Sequence, residues 1–311
     1  MKKISIVFVV LFCILCVYII TLQSYKHITK CEFKKRIQKL HNLKIPSDVI
    51  RKRLSGVSIY YINLDKATDR RKGFDTFIRQ HTIPNIQRIE GVYGKNVKDK
   101  TYTFSDGKKI QIKNEYPSYA YNMGESGCFL SHVIAMKTSY ENGDEYALIL
   151  EDDVDMNIVN VWNEGLMEVI RKAPKNWNII QLVEDPGGVF ADVFYTHIKK
   201  GVYVPRKTKS HLGTHAYIIN RNAMFKFLES LNFLHTNTID IKKYDYEFPI
   251  DFYLYNYFKN DSVYVTSSLF IVDNTLNSTQ IAENKRLRQL FNQTADEKMI
   301  SMSNHVLKSY L

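Results

Sequence analysis

A chain of 311 residues, 45% of them hydrophobic, can bury one large or two small cores, which excludes a disordered polypeptide. Its formal charge of +11 points to an anionic partner such as phosphate, nucleic acid or a membrane surface, or simply to lysines solvated at the surface. Of the four cysteines, Cys13 and Cys16 lie inside one apolar run, and the remaining Cys31 and Cys128 make neither a disulfide framework nor a zinc spacing.

That run, Ile4–Leu22, carries no charge and is long enough to cross a ~30 Å hydrocarbon core as a helix. A cleaved signal peptide is the alternative, but the run exceeds an ordinary h-region and no clear small-x-small cleavage site follows. The expected organisation is an anchor over 1–22, a basic stem over 23–56, a folded domain over 57–273 and a tail over 274–311. The basic residues Lys26, Lys30, Lys34, Lys35 and Arg36 after the span favour a cytoplasmic C-terminal domain. Sequons at Asn260, Asn277 and Asn292 favour a lumenal one. The expectation is a single-pass, type II membrane protein with its compartment open.

The stem is polar with a helical pattern and closes at the breaker Ser55–Gly56. "VSIYYINL" (57–64) then predicts a buried strand, and "DRRKGFDTFIRQH" (69–81) a helix with Phe74, Phe77 and Ile78 on one face. "IQRIEGV" (86–92) predicts a second strand, so strand, helix, strand implies a mostly parallel α/β sheet. A hairpin around Asp106–Gly107 is expected over 101–112. An amphipathic helix follows over 124–143, carrying Phe129, Val133, Met136 and Tyr140 on one side, and then the strand "EYALIL" (145–150). Downstream, helices are expected over 159–172, from 221 through Leu231 and over 249–258, the last opened by Pro249. Strands are expected over 177–183, 213–220 and 262–268.

The stretch "ALILEDDVDM" (147–156) sets Glu151, Asp152, Asp153 and Asp155 at the carboxyl end of a strand, where ligands bind in open α/β sheets. Carboxylates this close repel unless a cation joins them. A hard divalent ion such as Mn²⁺ or Mg²⁺, held by one or two carboxylates and by phosphate oxygens, relieves that strain. A solvated acidic loop, or a helix N-terminus favoured by its dipole, is the other reading. Two reaction classes fit: a haloacid-dehalogenase-like phosphatase using Asp153 and Asp155, and a nucleotide-sugar glycosyltransferase in which metal neutralises the departing diphosphate. Asn157, standing where the first class has Thr or Val, tells against it.

Three segments together, "IYYINLDKATDRRKGF" (59–74), "GESGCFLSHVIAMK…YALILEDDV" (124–154) and "GTHAYIIN…FPIDFYL" (213–254), resemble glycosyltransferase family 25. The resemblance implies a GT-A-like fold and inverting transfer of a hexose, often galactose from UDP-galactose, to a glycan or hydroxylated protein. It implies no nucleic-acid partner. In its light Glu151-Asp152-Asp153 stands for the family's DxD motif, with Asp153, Asp152 and His215 as metal ligands. Glu151 and Asp152 are also expected at the donor sugar, together with Asn63, Asp65, Arg70, Arg71 and His132. Asp251 and Glu125 are the expected catalytic acids, Asp251 first as general base. Structural roles compete at several of these positions: a helix-dipole carboxylate for Glu125 and Asp251, a hydrogen-bonded core histidine for His132, a solvated helix face for one arginine. A non-catalytic glycan-binding relative is the remaining alternative.

Overall fold

The computed structural model describes residues 34–113, 123–183, 203–205, 213–240, 250–258, 262–266 and 270. The apolar run 4–22, the three sequons, Pro249 and the tail lie outside them. Among the described residues no helix is long and apolar enough to cross a membrane.

Two helices, α1 (34–41) and α2 (Ser47–Leu54), precede the first strand. There follow β1 (Ser58–Asn63), α3 (Thr68–His81), β2 (Ile86–Glu90), β3 (Thr101–Thr103), β4 (Lys109–Ile112), α4 (Met123–Glu141) and β5 (Tyr146–Glu151). The second half comprises α5 (Leu166–Lys172), β6 (Ile179–Gln181), β7 (Val204–Pro205), β8 (Ala216–Asn220), α6 (Arg221–Ser230), β9 (Thr238–Ile239), α7 (Ile250–Tyr257) and β10 (Val263–Val265).

Seven strands form one sheet in the order β2-β1-β5-β8-β6-β10-β7. The β2-β1-β5 half is parallel, as the sequence leads one to expect. The reversal comes at β8, which runs antiparallel to both β5 and β6 and pairs Leu150 with Ala216. The sheet is therefore parallel-rich but mixed, and the start of β8 lies beside the end of β5. A hairpin's alternation cannot reveal this, because the two strands are far apart in sequence and the antiparallel partner carries no turn signal.

Alternation along the strands explains the two cores. Ile59, Tyr61, Leu148 and Leu150 point to the face covered by α1, α2, α3 and α5, while Tyr60, Ala147, Ile149, Tyr217 and Ile219 point to the face covered by α4, α6 and α7. Leu40, Ile50 and Leu54, from the stretch expected as a stem, are fully buried in the first of these cores. The basic residues between them lie on the other faces of short helices, so charge density concealed an apolar stripe.

The expected hairpin over 101–112 forms as β3 and β4, turning at Gly107 (φ +84°), and β4 adds β9 in parallel as a third strand. The helix expected over 159–172 is split. A 3-10 turn covers Met156–Val161, opened by Asp155, whose side chain accepts the Asn157 amide, and α5 starts only after Gly165. A Cβ on Gly165 would stand 2.9 Å from the Arg53 carbonyl oxygen, so this glycine lets α2 pack close.

Candidate active site

Glu151 ends β5, hydrogen-bonded through its amide to the His215 carbonyl at 2.8 Å, and the chain then turns through Asp152, Asp153 and the buried Val154. The turn divides the four carboxylates: Glu151 and Asp153 share His215, while Asp152 and Asp155 each turn to a different basic side chain. Asp152 is buried and takes Arg70 at 2.6 Å and Asn63 Nδ2 at 2.7 Å. Asp153 Oδ1 lies 3.2 Å from His215 Nδ1. Asp155 faces away, into α1, where His41 Nε2 lies 2.7 Å from its Oδ2. Glu151 accepts the Thr214 hydroxyl at 2.9 Å and lies between His132 Nε2, 3.5 Å from Oε1, and His215 Nδ1, 3.9 Å from Oε2. The charge that a sequence argument assigns to one cation is thus largely answered by protein groups, and Asp155 is removed from the site.

Electrostatics follow this division. Burial pushes the Asp152 carboxyl up despite Arg70. Burial works the same way on Glu151, but His215, His132 and Thr214 outweigh it and hold that carboxyl below the usual range. Burial, then the nearby Asp251, pushes Glu125 up to about 7.

Glu151, Asp153 and His215 present two carboxylates and one imidazole whose ligand atoms all lie within 4.8 Å of one another. This oxygen-rich set with one nitrogen fits Mn²⁺ or Mg²⁺, with positions left for phosphate oxygens. Glu151, placed by sequence with the donor, joins the group, whereas Asp152, placed by sequence among the ligands, turns to Arg70 and Asn63.

The sequence-predicted residues at the end of β1 are also brought together. Asn63 Oδ1 and its backbone carbonyl accept from Arg88 at 3.1 and 2.9 Å, and Arg88 also bridges to Asp65. Arg88, on β2, escaped sequence reasoning because a lone arginine in a strand pattern carries no motif. Of the two candidate arginines, Arg70 reaches Asp152, while Arg71 donates to the Asp65 carbonyl at 2.9 Å. His132 is fully buried and lies 3.0 Å from the Tyr217 hydroxyl.

Asp251, in the first turn of α7, accepts the Gly213 amide on Oδ2 and the Phe252 amide on Oδ1, both at 2.9 Å. The Gly213 carbonyl receives Tyr255 Oη at 2.9 Å and Gln181 Nε2 at 3.2 Å. Gly213 adopts φ +90°, a backbone open to glycine, so its peptide groups are clamped just before Thr214 and His215.

A carboxylate-lined site at the carboxyl ends of β1, β2 and β5 places the protein among α/β sheets that hold their ligands there. The profile of glycosyltransferase family 25 (LPS biosynthesis protein) matches residues 57–254, and the chain belongs to that family. It is 29% identical over 132 residues to procollagen galactosyltransferase 1-B of Xenopus laevis, covering 42% of this chain and 21% of that one. A glycosyltransferase 25 family member of Anopheles gambiae is 32% identical over 113 residues, covering 35% and 18%. The chain thus spans about a fifth of the length of the curated relatives it matches. A solved glycosyltransferase involved in glycosylation of the major capsid of PBCV-1 is similar over 75% of this chain and 98% of that one, at 12% identity and a TM-score of 0.39.

Proposed function

We propose that this chain is a membrane-anchored, metal-dependent hexosyltransferase of GT-A type that moves galactose from UDP-galactose, with inversion, to a glycan or hydroxylated protein. Family membership supports the reaction class. The name of the Xenopus procollagen galactosyltransferase supports galactose and a protein acceptor, and the family's description as an LPS biosynthesis protein supports a glycan. The apolar run Ile4–Leu22 supports the anchor. The observation that carries the reading is the Glu151–Asp153–His215 group beside the Asp152–Arg70 pair.

Mn²⁺ or Mg²⁺, when bound by Glu151, Asp153 and His215, supplies positive charge to the departing diphosphate. The chain's own groups do the rest. Asp152, immobilised by Arg70 and Asn63, is set to accept a sugar or ribose hydroxyl. Asn63 and Asp65, tied by Arg88, form the nucleotide end. Inversion needs a base for the acceptor hydroxyl. Asp251, the first choice from the resemblance, has both oxygens engaged by the Gly213 and Phe252 amides, so the role passes to Glu125, the other expected acid, whose carboxyl burial and Asp251 push up to about 7. Asp251, both of whose oxygens hold backbone amides, orients the Gly213–His215 segment and keeps Glu125 basic by its negative charge.

The test is UDP release by the detergent-solubilised full chain from a panel of UDP-sugars, with Mn²⁺ or with EDTA, in the presence of glycan or hydroxylated-peptide acceptors. Release from one donor that depends on metal and rises with acceptor is the expected result. Glycan binding by calorimetry with no release from any donor would instead assign the chain as a non-catalytic glycan-binding relative.

A further inference from the structure

We infer that Cys128, His132 and Glu151 form a binding site for a thiophilic divalent cation of the zinc type, joined to the Glu151–Asp153–His215 group through the shared carboxylate. The sulfur, an imidazole nitrogen and a carboxylate oxygen all lie within 4.8 Å of one another. Cys128 and His132 are four residues apart on α4 and so share one face of it, turned towards the end of β5.

The second observation concerns His132 itself. Its ring is fully buried and its Nδ1 faces the Tyr217 hydroxyl at 3.0 Å, yet its Nε2 makes no hydrogen bond, with Glu151 Oε1 3.5 Å away. A buried ring nitrogen left without a hydrogen bond costs stability, and a ligated cation removes that cost. With Nδ1–H donated to the Tyr217 oxygen, Nε2 carries the lone pair a metal needs, and Tyr217 becomes the outer partner that fixes the ring.

Glu151 is divided between the two groups. Oε1 faces His132, and Oε2 faces His215 at 3.9 Å. Donor softness then sorts the cations: the Asp153 and His215 side suits a hard ion, and the thiol side suits zinc or cadmium. Cys128, His132 and Glu151 supply three ligand atoms, which leaves one position of a tetrahedral ion for a fourth ligand. A tetrahedral ion sets its ligand atoms about 3.5 Å apart, so closure asks for movements of about 1 Å.

The test uses the full chain with Cys13→Ser, Cys16→Ser and Cys31→Ser, which leaves Cys128 as the sole thiol. Cd²⁺ is titrated in excess Mn²⁺ while the ultraviolet thiolate-to-cadmium charge-transfer band is followed. The band should saturate at one Cd²⁺ per chain, persist in Asp153→Asn, and require at least about tenfold more Cd²⁺ in His132→Asn. Should His132→Asn fail to fold by circular dichroism, Glu151→Gln takes its place with the same required weakening. No band at one equivalent, or equal affinity in the folded ligand variant, would overturn the site. Neither donor nor turnover enters the measurement, so its outcome is independent of the transferase reading.

Discussion

His215 Nδ1 stands 3.2 Å from Asp153 Oδ1, although 62 residues separate them in the chain. The contact exists because β8 runs antiparallel to β5 and starts where β5 ends, with the Glu151 amide bonded to the His215 carbonyl. A reversed strand in a parallel-rich sheet thus brings an imidazole to a carboxylate turn. The clamp on Gly213 by Asp251, Tyr255 and Gln181 fixes the approach to that strand.

The Arg70–Asp152 pair is expected to matter to stability as well as to the donor. Both side chains are only 10% exposed, and removal of one partner from a buried ion pair costs about 3–5 kcal/mol. Arg70→Ala should lower urea stability by that order, and Asp152→Asn added to it should recover most of the loss. An unchanged denaturation midpoint in Arg70→Ala would show that Asn63 alone suffices for Asp152.

Transfer should rise with pH through about 7 and level off above it. Glu125 has its carboxyl raised to about 7, so its basic form is scarce below that pH and dominant above. Glu125→Gln should reduce kcat by at least about a hundredfold and remove the rise. Asp251→Asn should shift the midpoint downward, since a neighbouring negative charge is part of what raises Glu125. A pH profile unaltered in Glu125→Gln would take the base role from it.

Truncation should expose how far the folded unit extends. Leu40, Ile50 and Leu54 are fully buried, and each such side chain contributes about 1.5–3 kcal/mol by leaving water. A chain starting at residue 57 should therefore aggregate or melt far below one starting at residue 33, in a thermal-melt comparison. Equal melting temperatures would mean that α1 and α2 are dispensable.

Gly94 should prove intolerant of substitution. A Cβ there would lie 1.6 Å from the Met123 carbonyl oxygen, at the start of the helix that carries Glu125. Gly94→Ala must push the α4 N-terminus away, with a cost of about 1–3 kcal/mol for overpacking and a lower kcat at unchanged donor affinity. Wild-type stability and kcat in Gly94→Ala would contradict this packing.

Much of this was legible in the sequence where a local pattern encodes it. The apolar run of β5 and a helix at α4 appear as expected, but α4 is buried on most of its sides rather than along the one face its spacing suggested; the acidic turn falls at a strand's carboxyl end. What was not legible depends on contacts distant in sequence. Asp155 meets His41 across 114 residues, and Asp152 meets Arg70 across 82, so spacing alone could not separate the carboxylates gathered around His215 from those that turn to His41 and Arg70. Glu151 as a neighbour of Asp153 and His215, and Arg88 as the bridge behind Asn63, follow from strand register, which no motif records.

The most direct measurement is calorimetric binding of UDP to the solubilised full chain with Mn²⁺ and with EDTA, in wild type and in Asp153→Asn. The expected result is binding that requires Mn²⁺ and is lost in Asp153→Asn, while the variant keeps the wild-type circular dichroism spectrum. Equal UDP affinity in EDTA, or in Asp153→Asn with Mn²⁺, would contradict a metal held by Glu151, Asp153 and His215.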